Sequence, residues 1–163
     1  MNLFAVFEHA DGTVELATPP LRDTILPGVT RDSILTLARE HEAGKIALGG
    51  IAPEGKRFIV SERDITMKEV KEASAKGTLR EMFGSGTAAI VSPIEMIGCV
   101  AAFERMSEAL SADFQAHLLH RYEGEAVKVP VGQDGCGDVA RVMLREIVGR
   151  QTGEIPSDWS VSV

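Results

Sequence analysis

The first eighteen residues carry the strongest folding signal in the chain. Asn2–Glu8 is apolar and aromatic, Asp11-Gly12 is a typical tight-turn pair, and residues 13–18 are again rich in apolar and β-branched side chains. This pattern predicts an antiparallel hairpin whose first strand begins at residue 2 without a polar lead-in. Because domains usually start with looser residues, we expect the sequence to begin inside a domain.

Strands and helices alternate irregularly along the rest of the chain. Further strands are predicted at residues 58–61, 79–83, 88–97 and 126–131. One helix is predicted to start at Thr30 as its N-cap, a second to follow Thr66 and end at Gly77, and a third to cover residues 139–148. Residues 43–56, with four glycines, read as a surface loop. The mixture predicts an α+β or mixed α/β fold, and 163 residues suit one domain.

The composition of the chain argues against several kinds of binding partner. The net charge of −7 and the pI of about 5.1 argue against a nucleic-acid or anionic-membrane partner. No apolar run is long enough to span a bilayer, and no signal or transit peptide is recognisable. The two cysteines make neither a disulfide framework nor a metal cluster, so no metal is expected.

Two short segments combine glycine with hydroxyl side chains. In "PGVTRD", residues 27–32, a helix start leaves the N–H groups of Val29 and Thr30 without helical partners, with the Thr30 hydroxyl beside them. In "GSGTA", residues 84–88, a predicted turn offers the Thr87 hydroxyl and the Ala88 N–H. Taken alone, the first segment is better explained as an ordinary capped helix, and the second could be a plain glycine-rich turn.

Taken together and in order, the segments are far more specific. "VELATPPL", "ILPGVTRDSIL", "EMFGSGTAAIVSPI", "GEAVKVPVG" and "QTGEIPSDW" closely resemble the C-terminal part of branched-chain amino-acid aminotransferases, the pyridoxal-phosphate enzymes of fold class IV. The sequences of these segments are most similar to those of the fungal and animal members. The combination favours this type over D-amino-acid aminotransferases and aminodeoxychorismate lyases of the same class. The resemblance implies an incomplete large domain of the class IV fold.

The resemblance also implies a function and site residues. It implies amino transfer between leucine, isoleucine or valine and 2-oxoglutarate, with pyridoxal 5′-phosphate as cofactor. Val29, Thr30 and Thr87 would bind the cofactor phosphate, Leu26 would pack on its ring, and Ala88 would bind the substrate carboxylate. Met1 falls beside the family's substrate pocket. The full-length family implies a homodimer, and we expect a cytoplasmic protein, or a mitochondrial one if a missing N-terminus carries a transit peptide.

The same resemblance reveals two departures. The family's cofactor-linked lysine, the carboxylate on the pyridine nitrogen and an arginine on the phosphate precede the point where this sequence begins. No catalytic residue is therefore predicted. We interpret the chain as a truncated gene model, a fragment or a split remnant, and we expect it to be inactive alone. Residues 99–121 have no family counterpart; we favour a translated intron over an amphipathic insertion, which Phe103, Met106 and Leu110 at helical spacing would suit.

Two functional hypotheses therefore remain open. The chain is an aminotransferase or the C-terminal part of one, or it is a non-catalytic partner of a full-length subunit. An upstream reading frame that carries the lysine motif would support the first.

Overall fold

The computed structural model describes residues 1–22, 24–98 and 126–159 of the chain. In chain order its elements are β1 (Asn2–Glu8), β2 (Val14–Thr18), α1 (Val29–Glu42), β3 (Phe58–Glu62), α2 (Met67–Lys76), β4 (Leu79–Gly86), β5 (Ile90–Pro93), β6 (Met96–Gly98), β7 (Ala126–Lys128) and α3 (Asp138–Thr152). The expected mixed α/β architecture is therefore observed. The expected insertion at residues 99–121 lies outside the described residues.

A five-stranded sheet with the order β3-β2-β1-β4-β5 organises the fold. The predicted hairpin is present, with β2 antiparallel to β1, and β4 pairs antiparallel with the other edge of β1. Only β3 runs parallel to its neighbour β2, because α1 and the loop after it provide the crossover between them. Strand β1 is therefore central, and its N-terminal end lies between elements that are distant in sequence.

Helices cover both faces of the sheet. On one face α1 and α3 pack against the β1 side chains Phe4 and Val6, and Phe4 stacks on Phe83 of β4 with ring centroids 5.2 Å apart. The opposite face is covered by α2 and the β6–β7 ribbon, which pack on Ala5 and Phe7. Alternate residues of β1 thus point into two separate apolar clusters, which explains why the whole strand is nearly continuous in hydrophobic residues.

Helix α2 begins as the sequence predicts. The Glu69 backbone N–H donates to the Thr66 hydroxyl at 3.1 Å, and the helix ends at Gly77 in the left-handed conformation, with φ of 70°. Thr66 and Glu69 have the spacing of a capping box, in which the carboxylate would reach back to the helix start, but the Glu69 side chain accepts from Arg63 at 3.0 Å instead. Arg63 draws Glu69 away from the helix start because it offers a charged partner on the sheet.

Other boundaries differ from the expected ones. Helix α1 begins at Val29, so Gly28 and not Thr30 is the N-cap, and the Thr30 backbone is already helical. The single strand expected over residues 88–97 is two strands, β5 and β6, which belong to different sheets. Strand β7 stops at Lys128, before Pro130, which lacks the N–H that a ladder requires. These differences change which residues belong to each helix and strand around the two segments, but the two segments still lie at the start of α1 and at the end of β4.

Candidate functional site

The N-terminus of α1 is open to a ligand. Gly28 is extended, with φ of −71° and ψ of 133°, and no side chain caps the helix. The first backbone hydrogen bond of the helix runs from the Asp32 N–H to the Gly28 carbonyl at 3.0 Å. The N–H groups of Val29 and Thr30 precede it and therefore have no partner within the helix, which gives this end of α1 a positive partial charge.

The second segment is a strand end rather than a glycine turn. Strand β4 continues through Gly84, Ser85 and Gly86, and its last residue pairs with Ile90 of β5. The turn itself comprises Thr87, Ala88 and Ala89, all of which are exposed. The turn expected at residues 84–87 begins only at Thr87, because Gly84, Ser85 and Gly86 continue the ladder with the neighbouring strands. Thr87 and Ala88 still stand at the tip of the hairpin.

Both segments meet at the start of β1. Asn2 lies directly opposite Ser85 in the β1–β4 ladder, two residues before Thr87. The Asn2 side-chain amide donates to the Leu26 carbonyl at 2.9 Å, just before α1 begins. The segment before α1 and the end of β4 are therefore held next to the same residue, and one small ligand at this edge of the sheet could contact both.

A buried hydroxyl at this place lacks a partner. Ser85 is 1% exposed, and its Oγ has no hydrogen-bond partner among the described residues. Directly opposed residues of an antiparallel pair share a face of the sheet, so Ser85 lies on the same face as Asn2 and α1. An unpaired buried hydroxyl is costly unless a ligand or water satisfies it. The open helix end and this spare donor together fit an anionic group such as a phosphate.

The guanidinium of Arg31 beside this edge is already paired with Glu62, although its buried Nε has no hydrogen-bond partner among the described residues. Arg31, in the first turn of α1, is 3% exposed and donates to the Pro19 carbonyl at 2.9 Å and to Glu62 at 2.6 Å. All six lysines are exposed, and none lies in the segments that form the site. The attraction for an anion therefore comes from backbone N–H groups and hydroxyls.

The site residues expected from the sequence are placed as follows. Leu26 and Val29 are 75% and 83% exposed, Thr30 is half-buried, and Met1 is 87% exposed next to Gly84. Sequence reasoning missed Asn2 and Ser85. Their residue types gave little signal, since β4 also carries Arg80 and Glu81, and only the register between β1 and β4 shows that Asn2 and Ser85 face each other.

The N-terminus of α3 offers a contrast, because a side chain already fills it. The Glu81 carboxylate accepts the N–H groups of Val139 and Ala140 at 2.8 and 3.0 Å. Glu81 and Cys136 line a cavity of about 470 Å³. Burial raises the pKa of the Cys136 thiol, and the Glu81 carboxylate acts in the same direction, so this cysteine is not activated as a nucleophile. The N-terminus of α3 is thus occupied by the Glu81 side chain, whereas no side chain caps the N-terminus of α1.

Among the described residues no cluster of metal-ligating side chains is found. No helix in the described ranges has both the length and the apolar character needed to cross a bilayer.

Comparisons with known proteins cover the whole chain. The branched-chain-amino-acid aminotransferase of Dictyostelium discoideum is 38% identical over all of this chain, which spans 34% of that relative. The cytosolic enzyme of Saccharomyces cerevisiae is 39% identical over 98% of the chain and 34% of its own length, and the mitochondrial enzyme of Rattus norvegicus is 36% identical. No family model matches.

A solved structure supports the same relationship. The branched-chain amino acid aminotransferase from Escherichia coli superposes on 98% of this chain and 35% of its own, with a TM-score of 0.52 and 27% identity. The sequence motifs, the fold and these relatives agree. Over its whole length the chain is therefore similar to branched-chain aminotransferases, and it spans about a third of the length of the relatives it matches.

Proposed function

We propose that this chain forms part of a transaminase that uses pyridoxal 5′-phosphate to move amino groups between branched-chain amino acids and 2-oxo acids such as 2-oxoglutarate. The observation that carries the proposal is the meeting of the open α1 N-terminus and the β4–β5 turn beside Asn2. When bound, the cofactor acts as an electron sink for the amino acid, and the protein supplies orientation and electrostatics. Relatives that align with the whole of this chain are named as branched-chain aminotransferases.

Each residue has a distinct part in this proposal. The backbone N–H groups of Val29 and Thr30 and the hydroxyls of Thr30 and Thr87 hold the phosphate. Leu26, whose side chain projects into solvent, offers an apolar surface for the cofactor ring. The Ala88 N–H binds the substrate carboxylate at the turn. These residues bind and orient, and none of them moves a proton or forms a covalent bond.

The exposed side chains of Leu26 and Val29 support a larger assembly. Apolar residues this exposed beside a binding site mark a surface that another part of a protein covers. We propose that the covering part is the remainder of the family fold, and that two such subunits form a homodimer. A non-catalytic partner of a full-length subunit is the alternative.

The proposed cellular location is the cytosol, with the mitochondrion as the alternative, because the relatives include cytosolic and mitochondrial enzymes.

The phosphate contacts can be tested by comparing pyridoxal 5′-phosphate with pyridoxal, which lacks the phosphate. The chain should bind the phosphorylated form more tightly, by equilibrium titration of the cofactor fluorescence. Thr30→Val and Thr87→Val should each reduce that preference about three- to tenfold, because each removes one hydroxyl hydrogen bond worth about 0.5–1.5 kcal/mol. Ser92→Ala, in the neighbouring strand β5, is the control. Equal affinity for the two forms would contradict the phosphate site.

These 163 residues alone should not transaminate. Covalent attachment of the cofactor and proton transfer in this chemistry require a lysine at the site. Every lysine here is exposed and outside the site segments. An assay with leucine, 2-oxoglutarate and pyridoxal 5′-phosphate should show no turnover above the cofactor alone. Turnover accompanied by a borohydride-trapped lysine adduct would overturn this expectation.

A further inference from the structure

The side chain of Asn2 connects the two halves of the candidate phosphate site. It is 8% exposed, and its amide Nδ2 donates to the Leu26 carbonyl at 2.9 Å. Across the ladder it faces Ser85, whose buried hydroxyl has no partner among the described residues. Asn2 thus contacts the segment that precedes α1 and stands opposite the end of β4.

Gly28 provides an independent indication of the same arrangement. Its φ of −71° is open to any residue, so the backbone conformation does not require glycine. A Cβ added at Gly28 would instead overlap with the Asn2 Oδ1. The absence of a side chain at the N-cap therefore lets Asn2 approach the helix start, and it also leaves the first N–H groups of α1 without an internal cap.

We propose that Asn2 is a positioning residue of the phosphate site, which fixes the N-terminus of α1 relative to the end of β4. This inference rests on the proposed function. Its hydrogen bond to Leu26 holds the loop before the helix, and the helix start then presents Val29 and Thr30 to the same ligand that Thr87 reaches. The geometry makes the spacing between the two phosphate-binding segments depend on one side chain.

Two variants remove this positioning in different ways. Asn2→Ala deletes the hydrogen bond to Leu26, and Gly28→Ala keeps Asn2 but displaces it by steric overlap. Both should lower affinity for pyridoxal 5′-phosphate about three- to tenfold, while affinity for pyridoxal stays the same. The phosphate preference is a readout that a purely structural residue would leave unchanged.

Thr18→Val is the matched control. Thr18 is 1% exposed and donates to the Leu3 carbonyl at 2.6 Å, so it also joins a buried side chain to a backbone carbonyl, but this bond links β2 to β1 and not β1 to the segment before α1. Its loss should lower the melting temperature to an extent similar to Asn2→Ala without changing the phosphate preference.

The outcomes separate the two proposals. If the unaltered chain prefers pyridoxal 5′-phosphate and both Asn2→Ala and Gly28→Ala lose that preference, the positioning role is supported. If the unaltered chain shows the preference and these folded variants retain it, the role of Asn2 is overturned while the phosphate site stands. If the unaltered chain binds pyridoxal and its phosphate equally, the proposed function fails and the role of Asn2 fails with it.

Discussion

Replacing Arg63 with methionine should lower the free energy of unfolding by about 2–4 kcal/mol, because it leaves the carboxylate of Glu15 buried with only the Ser61 hydroxyl and the His9 ring as partners. Glu15 is 4% exposed, and Arg63 donates to its two oxygens at 2.8 and 3.0 Å. The same guanidinium bonds Glu69 of α2 and lies over the Phe7 ring, 5.3 Å from its centroid. Arg63 therefore joins the sheet to a helix. Urea unfolding measures the loss.

Two further variants make this result specific. Arg22→Met removes an exposed ion pair with Asp64 and should cost less than about 1 kcal/mol. The double variant Glu15→Leu/Arg63→Met removes both charges and should recover most of the loss. If Arg63→Met costs no more than Arg22→Met, the buried pair does not stabilise the fold as argued.

The pH dependence of this pair has a definite sign. Burial acts to raise the pKa of Glu15, but hydrogen bonds from Arg63 and Ser61 outweigh it and lower the pKa from 4.5 to about 2. Between these values the unfolded chain binds more protons than the folded one. The stabilisation, at most about 3 kcal/mol, is thus present above pH 4.5 and is lost as the pH falls toward 2. Arg63→Met should weaken this dependence.

Glu81→Ala should be comparably destabilising, by about 2–5 kcal/mol. It leaves the N–H groups of Val139 and Ala140 unsatisfied at the buried start of α3 and opens a void beside Gly137. Glu81→Gln keeps one acceptor and should lose less. The exposed Glu72 of α2 gives the control, since Glu72→Ala should change stability by less than about 0.5 kcal/mol.

The sign of the pH effect is opposite at Glu81. Burial raises the pKa of its carboxyl above the usual 4.5, although the Ala140 and Val139 N–H groups act against the shift. The folded chain then binds more protons than the unfolded one, so this contribution to stability is present below pH 4.5 and is lost as the pH rises through the raised pKa. The Glu81→Gln variant should lack that loss. A pH profile identical to that of the unaltered chain would contradict this assignment.

Local signals in the sequence were sufficient for much of the fold. The hairpin at Asp11-Gly12, the Thr66 cap and the Gly77 stop depend on neighbouring residues alone, and each is present. The buried stripe of α1, which includes Ile34, Leu35, Leu37 and Ala38, follows from helical spacing. These features need no knowledge of distant parts of the chain.

Features that depend on pairing between distant segments were not predictable. Gly84 and Gly86 lie in a strand with partners from β1 and β5, and the N-cap of α1 is Gly28, where Asn2 lies in the space that a side chain would need. The pairs of Asn2 with Leu26 and of Glu81 with α3 span 24 and 58 residues. The resemblance to the family motif predicts Thr30 and Thr87 as phosphate ligands, whereas the proposed positioning residue, Asn2, emerges only from the fold.

Amide NMR during a titration of the ¹⁵N-labelled chain tests the central claim most directly. With pyridoxal 5′-phosphate, and not with pyridoxal, the amides of Val29, Thr30 and Thr87 should shift together and saturate with one dissociation constant. The α3 amides of Val139 and Ala140 should not respond, because Glu81 already occupies that helix start. Phosphate-dependent shifts confined to other parts of the chain, or none at all, would contradict the account.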